Sequence, residues 1–161
     1  MKKLVLVLAI VFAGVMSANA QGWWVGGGLG ANVQKNFTQF TISPELGYVI
    51  NDQFQVALGA GYTYANGNAN LLYLQPYFRY VGGTIGKKFS LFADLCGDFG
   101  LIDADGYAVT IQPGVAWQAT EKFTAAFRFG KVGYDHGIYG VDGFLLQCAL
   151  VAPEIRIYYN F

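Results

Sequence analysis

From Thr38 to Ile50 the chain alternates. Phe40, Ile42, Pro44, Leu46, Tyr48 and Ile50 hold one parity, and Gln39, Thr41, Ser43, Glu45, Gly47 and Val49 hold the other. A period of two is that of a β-strand with two unlike faces. The next segment repeats it, with Phe54, Val56, Leu58, Ala60, Tyr62 and Tyr64 set against Gln55, Ala57, Gly59, Gly61, Thr63 and Ala65. Asn51-Asp52 between the two reads as a tight hairpin turn. Carried along the chain, the pattern predicts eight strands, at 22–33, 38–50, 53–65, 71–81, 88–101, 106–117, 122–133 and 144–161. Each is long enough for a tilted spanning strand, which needs about 9 to 11 residues. Eight is also an even number, as single-chain outer-membrane barrels require. The expected fold is all-β, an eight-stranded antiparallel up-and-down transmembrane β-barrel.

The placement of charge decides which parity would face lipid. Glu45, Arg79, Asp94, Asp98, Arg128, Glu154 and Arg156 all lie inside strands on the parity opposite the apolar one. Lys131 alone shares the apolar parity, near a strand end, where its long side chain could snorkel to an interface. Most other charges fall in turns, loops or strand ends, Asp135 among them. The seven strand charges, with Gln55, Gln75, Gln112 and Tyr77, would fill an interior that eight strands leave just wide enough for side chains. Unpaired charge in so dry a space is costly, so Arg79, Arg128 and Arg156 are each expected to contact a carboxylate.

The apolar parity is banded by height. If the first strand runs outward from the periplasm, Trp23, Tyr48, Phe54, Tyr80, Phe89, Trp117, Phe123, Tyr159 and Phe161 all meet the periplasmic rim as an aromatic girdle. Phe40, Tyr62, Tyr64, Phe99 and Phe129 form a thinner belt at the opposite rim. Pro44, Pro76, Pro113 and Pro153 all fall on the apolar parity of even-numbered strands. Because proline donates no ladder hydrogen bond, each should mark a bulge or a locally broken pair.

Composition agrees with a surface solvated by something other than water. The 161 residues are 54% hydrophobic and 17% aromatic but only 12% charged, far below the quarter usual in soluble domains. There is no basic excess of the kind that nucleic-acid binding needs, so no nucleic-acid partner is expected. Residues 1–20 read as a secretory signal peptide: Lys2 and Lys3, an apolar stretch from Leu4 to Met16, then Ala18-Asn19-Ala20 as a cleavage pattern. Residues 21–161 would be the mature barrel, with a net charge of −2.

The leader, the hairpin Pro44-Glu45-Leu46-Gly47-Tyr48 before Asn51-Asp52, and the ending Ile155-Arg156-Ile157-Tyr158-Tyr159-Asn160-Phe161 together resemble a family. It is that of the small eight-stranded outer-membrane β-barrel proteins of Gram-negative bacteria, of the OmpA/OmpX type, and the resemblance covers the whole mature chain. It implies a monomer in the outer membrane, with membrane lipid as surroundings. Ile157, Tyr159 and Phe161 would then be the signal read by the barrel-assembly machinery.

Chemistry-bearing residues are sparse. His136 is the lone histidine, and Ser43 and Ser90 lie within strands, so no catalytic constellation forms and no enzyme activity, cofactor or metal is expected. Gly26, Gly28 and Gly30 precede no helix pattern and read as small lumen-facing residues rather than a phosphate loop. Cys96 and Cys148 fall on strands five and eight, too far apart to bridge, and are expected as free thiols packed as small hydrophobes. The expected role is structural, in envelope maintenance or at the surface. The alternatives are a small pore for ions or solutes, and a secreted lipocalin-like binder of an apolar ligand, in which the apolar parity would face inward.

Overall fold

The computed structural model describes residues 22–34, 37–65, 70–102, 106–148 and 154–161. The leader 1–20 and Pro153 lie outside them. Among the described residues ten strands are present: β1 (Trp23–Gln34), β2 (Phe37–Val49), β3 (Phe54–Ala65), β4 (Leu71–Ile85), β5 (Phe89–Ile102), β6 (Tyr107–Gln118), β7 (Phe123–Arg128), β8 (Gly130–His136), β9 (Asp142–Cys148) and β10 (Glu154–Asn160). They make eight staves of one closed antiparallel barrel. β1 to β6 pair in sequence order, β7 and β8 are two halves of the seventh stave, and β9 and β10 are two halves of the eighth. The ring closes where β10 pairs with β1, from Trp24↔Asn160 to Gly30↔Glu154. Up-and-down closure leaves no edge strand along this seam, the feature that lets a sheet stand alone.

The β2–β3, β4–β5 and β6–β7 connections lie at the same end of the cylinder as the start of β1 and the end of β10, an end called the turn pole. In the first of them Asn51 Oδ1 accepts the backbone N–H groups of Gln53 and Phe54, each at 2.9 Å. An Asx turn of this kind explains why Asn-Asp ends one stave and starts the next.

The prolines act as their missing N–H requires. Pro44 pairs regularly with β1, but on the β3 side the ladder passes from Ile42↔Tyr62 to Glu45↔Gly59 with two pairs missing and the register kept. Pro76 does the same between Leu74↔Phe99 and Tyr77↔Cys96. Pro113 has a larger effect. Gln112 and Pro113 face three residues, Phe129, Gly130 and Lys131, because the register moves from Ile111↔Val132 to Gly114↔Arg128. This is a β-bulge. Phe129 N–H donates to the Pro113 carbonyl at 2.8 Å, and Gly130 takes φ +148°, where an added Cβ would strike the Gln147 carbonyl.

One extra residue turns every later side chain of the stave over. Past the bulge Tyr134 and His136 face outward and Asp135 is buried. Lys131 is therefore not on the outer face, as its parity suggested. It turns into the barrel, its Nζ 3.9 Å from the centre of the Tyr139 ring. The strands are also longer than expected at this end, since β8 runs to His136 and β9 starts at Asp142, within the stretch expected as loop.

The two faces differ as the alternation implies. Leu29, Ile42, Leu58, Leu95, Ile111, Ile155 and Ile157 are exposed on the outside, whereas Glu45, Asp94, Asp98, Arg79, Arg128 and Arg156 are buried inside. The interior also holds an aromatic cluster of Trp24, Tyr77, Phe92 and Tyr158, packed with Cys96, Ala116 and Ala126. Gly47 makes room for it: an added Cβ there would overlap the Trp24 indole, and one at Gly61 would overlap the Tyr73 ring.

Candidate functional site

The chemistry of the barrel is concentrated in its lumen. Arg79 and Asp94 face each other across the β4–β5 ladder. The guanidinium grips the carboxylate at both oxygens, Nε to Oδ1 at 2.7 Å and Nη2 to Oδ2 at 2.9 Å. From β7, Arg128 adds Nη2 to Oδ2 at 2.5 Å and Nε at 3.0 Å. Asp94, with no exposed surface, is thus enclosed between two cations. The Arg79 guanidinium also lies 4.1 Å from the centre of the Phe92 ring, and its Nη2 donates to the Tyr158 hydroxyl at 3.0 Å. Two-toothed pairing and aromatic stacking are what arginine offers and lysine does not.

A second knot centres on Arg156. Its Nη1 donates to Glu45 Oε2 at 2.6 Å, and its Nη2 to Glu154 Oε1 at 2.5 Å and to Gln75 Oε1 at 3.1 Å. Tyr77 donates to the same Glu45 oxygen at 2.7 Å. The path from β10 to β2 crosses β1, and it is open because β1 presents glycines there. A Cβ at Gly28 would stand 2.7 Å from Ser43 Oγ, 2.8 Å from Glu154 Oε1 and 3.1 Å from Arg156 Cγ. Gly28 is therefore clearance for an ion pair, and Gly26 is clearance for the Tyr158 ring.

Asp98 is bound without an arginine. Gln75 Nε2 donates to its Oδ1 at 2.5 Å and the Tyr139 hydroxyl to its Oδ2 at 2.7 Å. Tyr139 comes from the connection between β8 and β9, held in place by a residue the sequence placed in a loop. Asp135, fully buried in β8, accepts the backbone N–H groups of Ile138, Tyr139 and Val141 at 3.0, 2.9 and 3.0 Å. The connection thereby folds over the mouth opposite the turn pole. Burial, with the Asp98 carboxylate beside it, pushes the Tyr139 phenol well above its ordinary range.

The seven strand charges thus lie together inside the barrel, joined by Gln75, Tyr77 and Tyr139. Gln112 is buried but bonds to Thr110 at 2.9 Å, and Gln55 is half-buried nearer the turn pole. Sequence reasoning missed Trp24, Tyr73, Phe92, Tyr158, Asp135 and Lys131 as interior residues. For the four aromatics the signal was present, since each occupies the same parity as a buried charge or glycine on its own strand. For Lys131 and Asp135 the Pro113 bulge had to be carried through the count.

On the outside, Trp23, Tyr48, Tyr80, Phe89, Trp117, Phe123 and Phe161 are exposed at the turn pole, with Phe54 and Tyr159 half-buried among them. Trp23 lies 5.1 Å from Tyr48, Phe54 5.5 Å from Tyr80, and Tyr159 5.2 Å from both Phe123 and Phe161. Phe89 faces Trp117 across the β5–β6 ladder. Near the other pole Phe40, Tyr64, Phe99 and Phe129 are exposed and Tyr62 is half-buried, together with Tyr107, Tyr134 and Phe144, which the sequence reading left out of that belt. Ile157 and Phe161 are exposed along β10 and its end. Cys96 is a buried free thiol, as expected, but Cys148 is exposed on the outer face. His136 Nδ1 lies 2.8 Å from Asp142 Oδ1 on the surface.

No protein-family profile matches the chain, and no curated protein does. A solved structure described as "De novo design of transmembrane beta-barrels" matches with a TM-score of 0.53. The match covers 89% of this chain and 98% of the designed one at 14% identity. The two chains share a fold. At so low an identity the likeness concerns backbone architecture, and the furnishing of the lumen belongs to this protein.

Proposed function

We propose that this protein is an exported integral barrel of the bacterial outer membrane, of the OmpA/OmpX type, with a closed lumen and a structural or surface role without catalysis. The observation that carries the reading is the inversion of the two faces: leucines, isoleucines and aromatics are exposed around the wall while carboxylates and guanidiniums are buried within it. Only an apolar surrounding makes such an exterior favourable, because that much contiguous greasy surface is not tolerated by soluble monomers. It also weighs against a lipocalin-like carrier, whose apolar residues would line the interior. The aromatic rings at the two poles match the interfacial girdles of membrane barrels.

In this reading residues 1–20 direct export, and Ile157, Tyr159 and Phe161 present the ending that the assembly machinery engages. The ion-pair lattice fills the cylinder, which favours a closed element over a conducting one. The test is expression with the leader in a Gram-negative host. The expected result is a protein lacking residues 1–20, recovered with outer membranes, extracted only by detergent, and moving differently on gels before and after boiling. A product soluble without detergent would refute the proposal.

A further inference from the structure

Two outward rungs of the wall cross neighbouring staves near the mouth. In the first, Ile155 on β10 faces Leu29 on β1, Leu29 faces Ile42 on β2, and Ile42 faces Tyr62 on β3. In the next rung toward the mouth Ala31 faces Phe40, and Phe40 faces Tyr64. Between them lies the pair Gly30↔Thr41, on the inward parity, so the outside has only backbone there. The result is a groove of about 530 Å3, floored at Gly30 and Thr41 and walled by the two rungs. Ala31 makes the room, since it sets a single methyl beside the large side chains of Leu29 and Phe40. From β10 to β3, at about 4.8 Å between strands, the groove runs for about 14 Å. That is close to the hydrocarbon depth of one leaflet, about 15 Å. Thr41 shares its hydroxyl with Thr63 at 2.9 Å. The polar side-chain groups left to the lining are therefore the phenols of Tyr62 and Tyr64, both on β3 at one end.

We propose that this groove seats one acyl chain of a membrane lipid from the leaflet at the mouth, laid along the rungs, with its ester carbonyl accepting a hydrogen bond from the Tyr62 or Tyr64 phenol. Apolar clefts of about 300 to 1,000 Å3 with a few placed polar groups are the usual form of small-ligand sites. Polar groups at one end only suit a ligand with an apolar body and an acceptor at its head. The level fits as well, because Tyr62 and Tyr64 stand in the aromatic belt, where lipid head groups begin. The groove is continuous with the exposed leucines and isoleucines of the wall, so a chain enters it sideways from the surrounding lipid. The inference rests on the reading of that wall as lipid-facing and adds one preferred lipid position to it.

The test folds the full barrel into dimyristoylphosphatidylcholine vesicles, dissolves them in detergent, and counts the lipids retained per protein by native mass spectrometry as detergent is raised. The expected result is one lipid held after the others have been stripped. Ala31→Trp, which fills the groove, should weaken its retention at least about tenfold, the effect of denying burial to two methylenes. Val109→Trp places the same bulk on the exposed face of β6, away from the groove, and should leave retention as in the parent. Tyr62→Phe combined with Tyr64→Phe should weaken it about two- to tenfold, the effect of one hydrogen bond, and stands in if Ala31→Trp fails to fold. Flotation of each protein with the vesicles reads insertion separately. A parent that does not float refutes the lipid-facing wall and the groove with it. A parent that floats refutes the groove alone if its lipids are stripped without a last one, if Ala31→Trp retains lipid like the parent, if Val109→Trp loses it equally, or if the phenylalanine pair changes nothing.

Discussion

Replacing Leu58 by arginine tests the inverted faces most directly. Leu58 is 51% exposed on the outside of β3, opposite Leu46 on β2 and Pro76 on β4. It stands four residues from Phe54, in the ring at the turn pole, and six from Tyr64, in the belt at the other. At about 3.4 Å per residue and a strand tilt of roughly 40°, those steps project to about 10 Å and about 16 Å along the barrel axis. Their total matches an apolar band about 25 Å tall and puts Leu58 near its middle, where an arginine costs about 2 to 4 kcal/mol. Ile50 is equally exposed, also 51%, but lies at the turn end of β2, where the same change costs about 0 to 1 kcal/mol. Folding into lipid vesicles followed by tryptophan fluorescence through a urea titration gives both values. The expected difference, about 1 to 4 kcal/mol, is a factor of roughly 5 to 800 in the folding equilibrium. Equal effects at the two sites, or none at Leu58, would refute the lipid-facing exterior.

Asp94→Asn keeps the shape of the side chain but leaves Arg79 and Arg128 facing each other without the charge that separates them. It should destabilise the barrel by about 3 to 5 kcal/mol in the same titration, and a loss below about 1 kcal/mol would show that the pair is idle. In the folded, detergent-solubilised protein an apolar maleimide that partitions into the detergent belt should label Cys148 on the outer wall and spare Cys96 until denaturant is added. Equal labelling rates would contradict the burial of Cys96. In planar bilayers the parent protein should pass no large steady current, since side chains from Arg79 to Tyr139 fill its bore; such a current would reject the closed lumen.

Much of the barrel was legible because membrane-type alternation is strict where each stave is regular. Through β1 to β6 the alternation separates outside from inside except at the end of β4, where an extra residue at Gly82 turns Ile85 outward, and the opposed pair Arg79 and Asp94 follows from the parity of β4 and β5 once the hairpin is set. Legibility fails after Pro113, because parity is a count and a bulge adds one to it. Thus Lys131 seemed destined for the wall and Asp135 for a solvated loop, whereas the first lies over Tyr139 and the second holds the connection that carries Tyr139. The interior aromatics escaped for another reason. Trp24 and Tyr73 occupy inward positions that composition alone assigns to polar residues, and what admits them is the absence of a side chain at Gly47 and Gly61 on neighbouring strands. That relation exists only in the paired sheet.

The bond from Arg156 to Glu45 joins residues 111 positions apart and crosses the seam between the last stave and the first, reaching past β1 to the second. It cannot exist until the two ends of the chain meet. While the ends are apart, Glu45 keeps its donor Tyr77 on the consecutive hairpin but lacks the guanidinium carried by the final strand. A sheet whose ends have not met therefore leaves one carboxylate on its concave side unpaired, and closure of the ring supplies its partner. The interior thus favours all-or-none closure: a sheet lacking its last strand leaves Glu45 without its guanidinium, and only the finished ring pairs it.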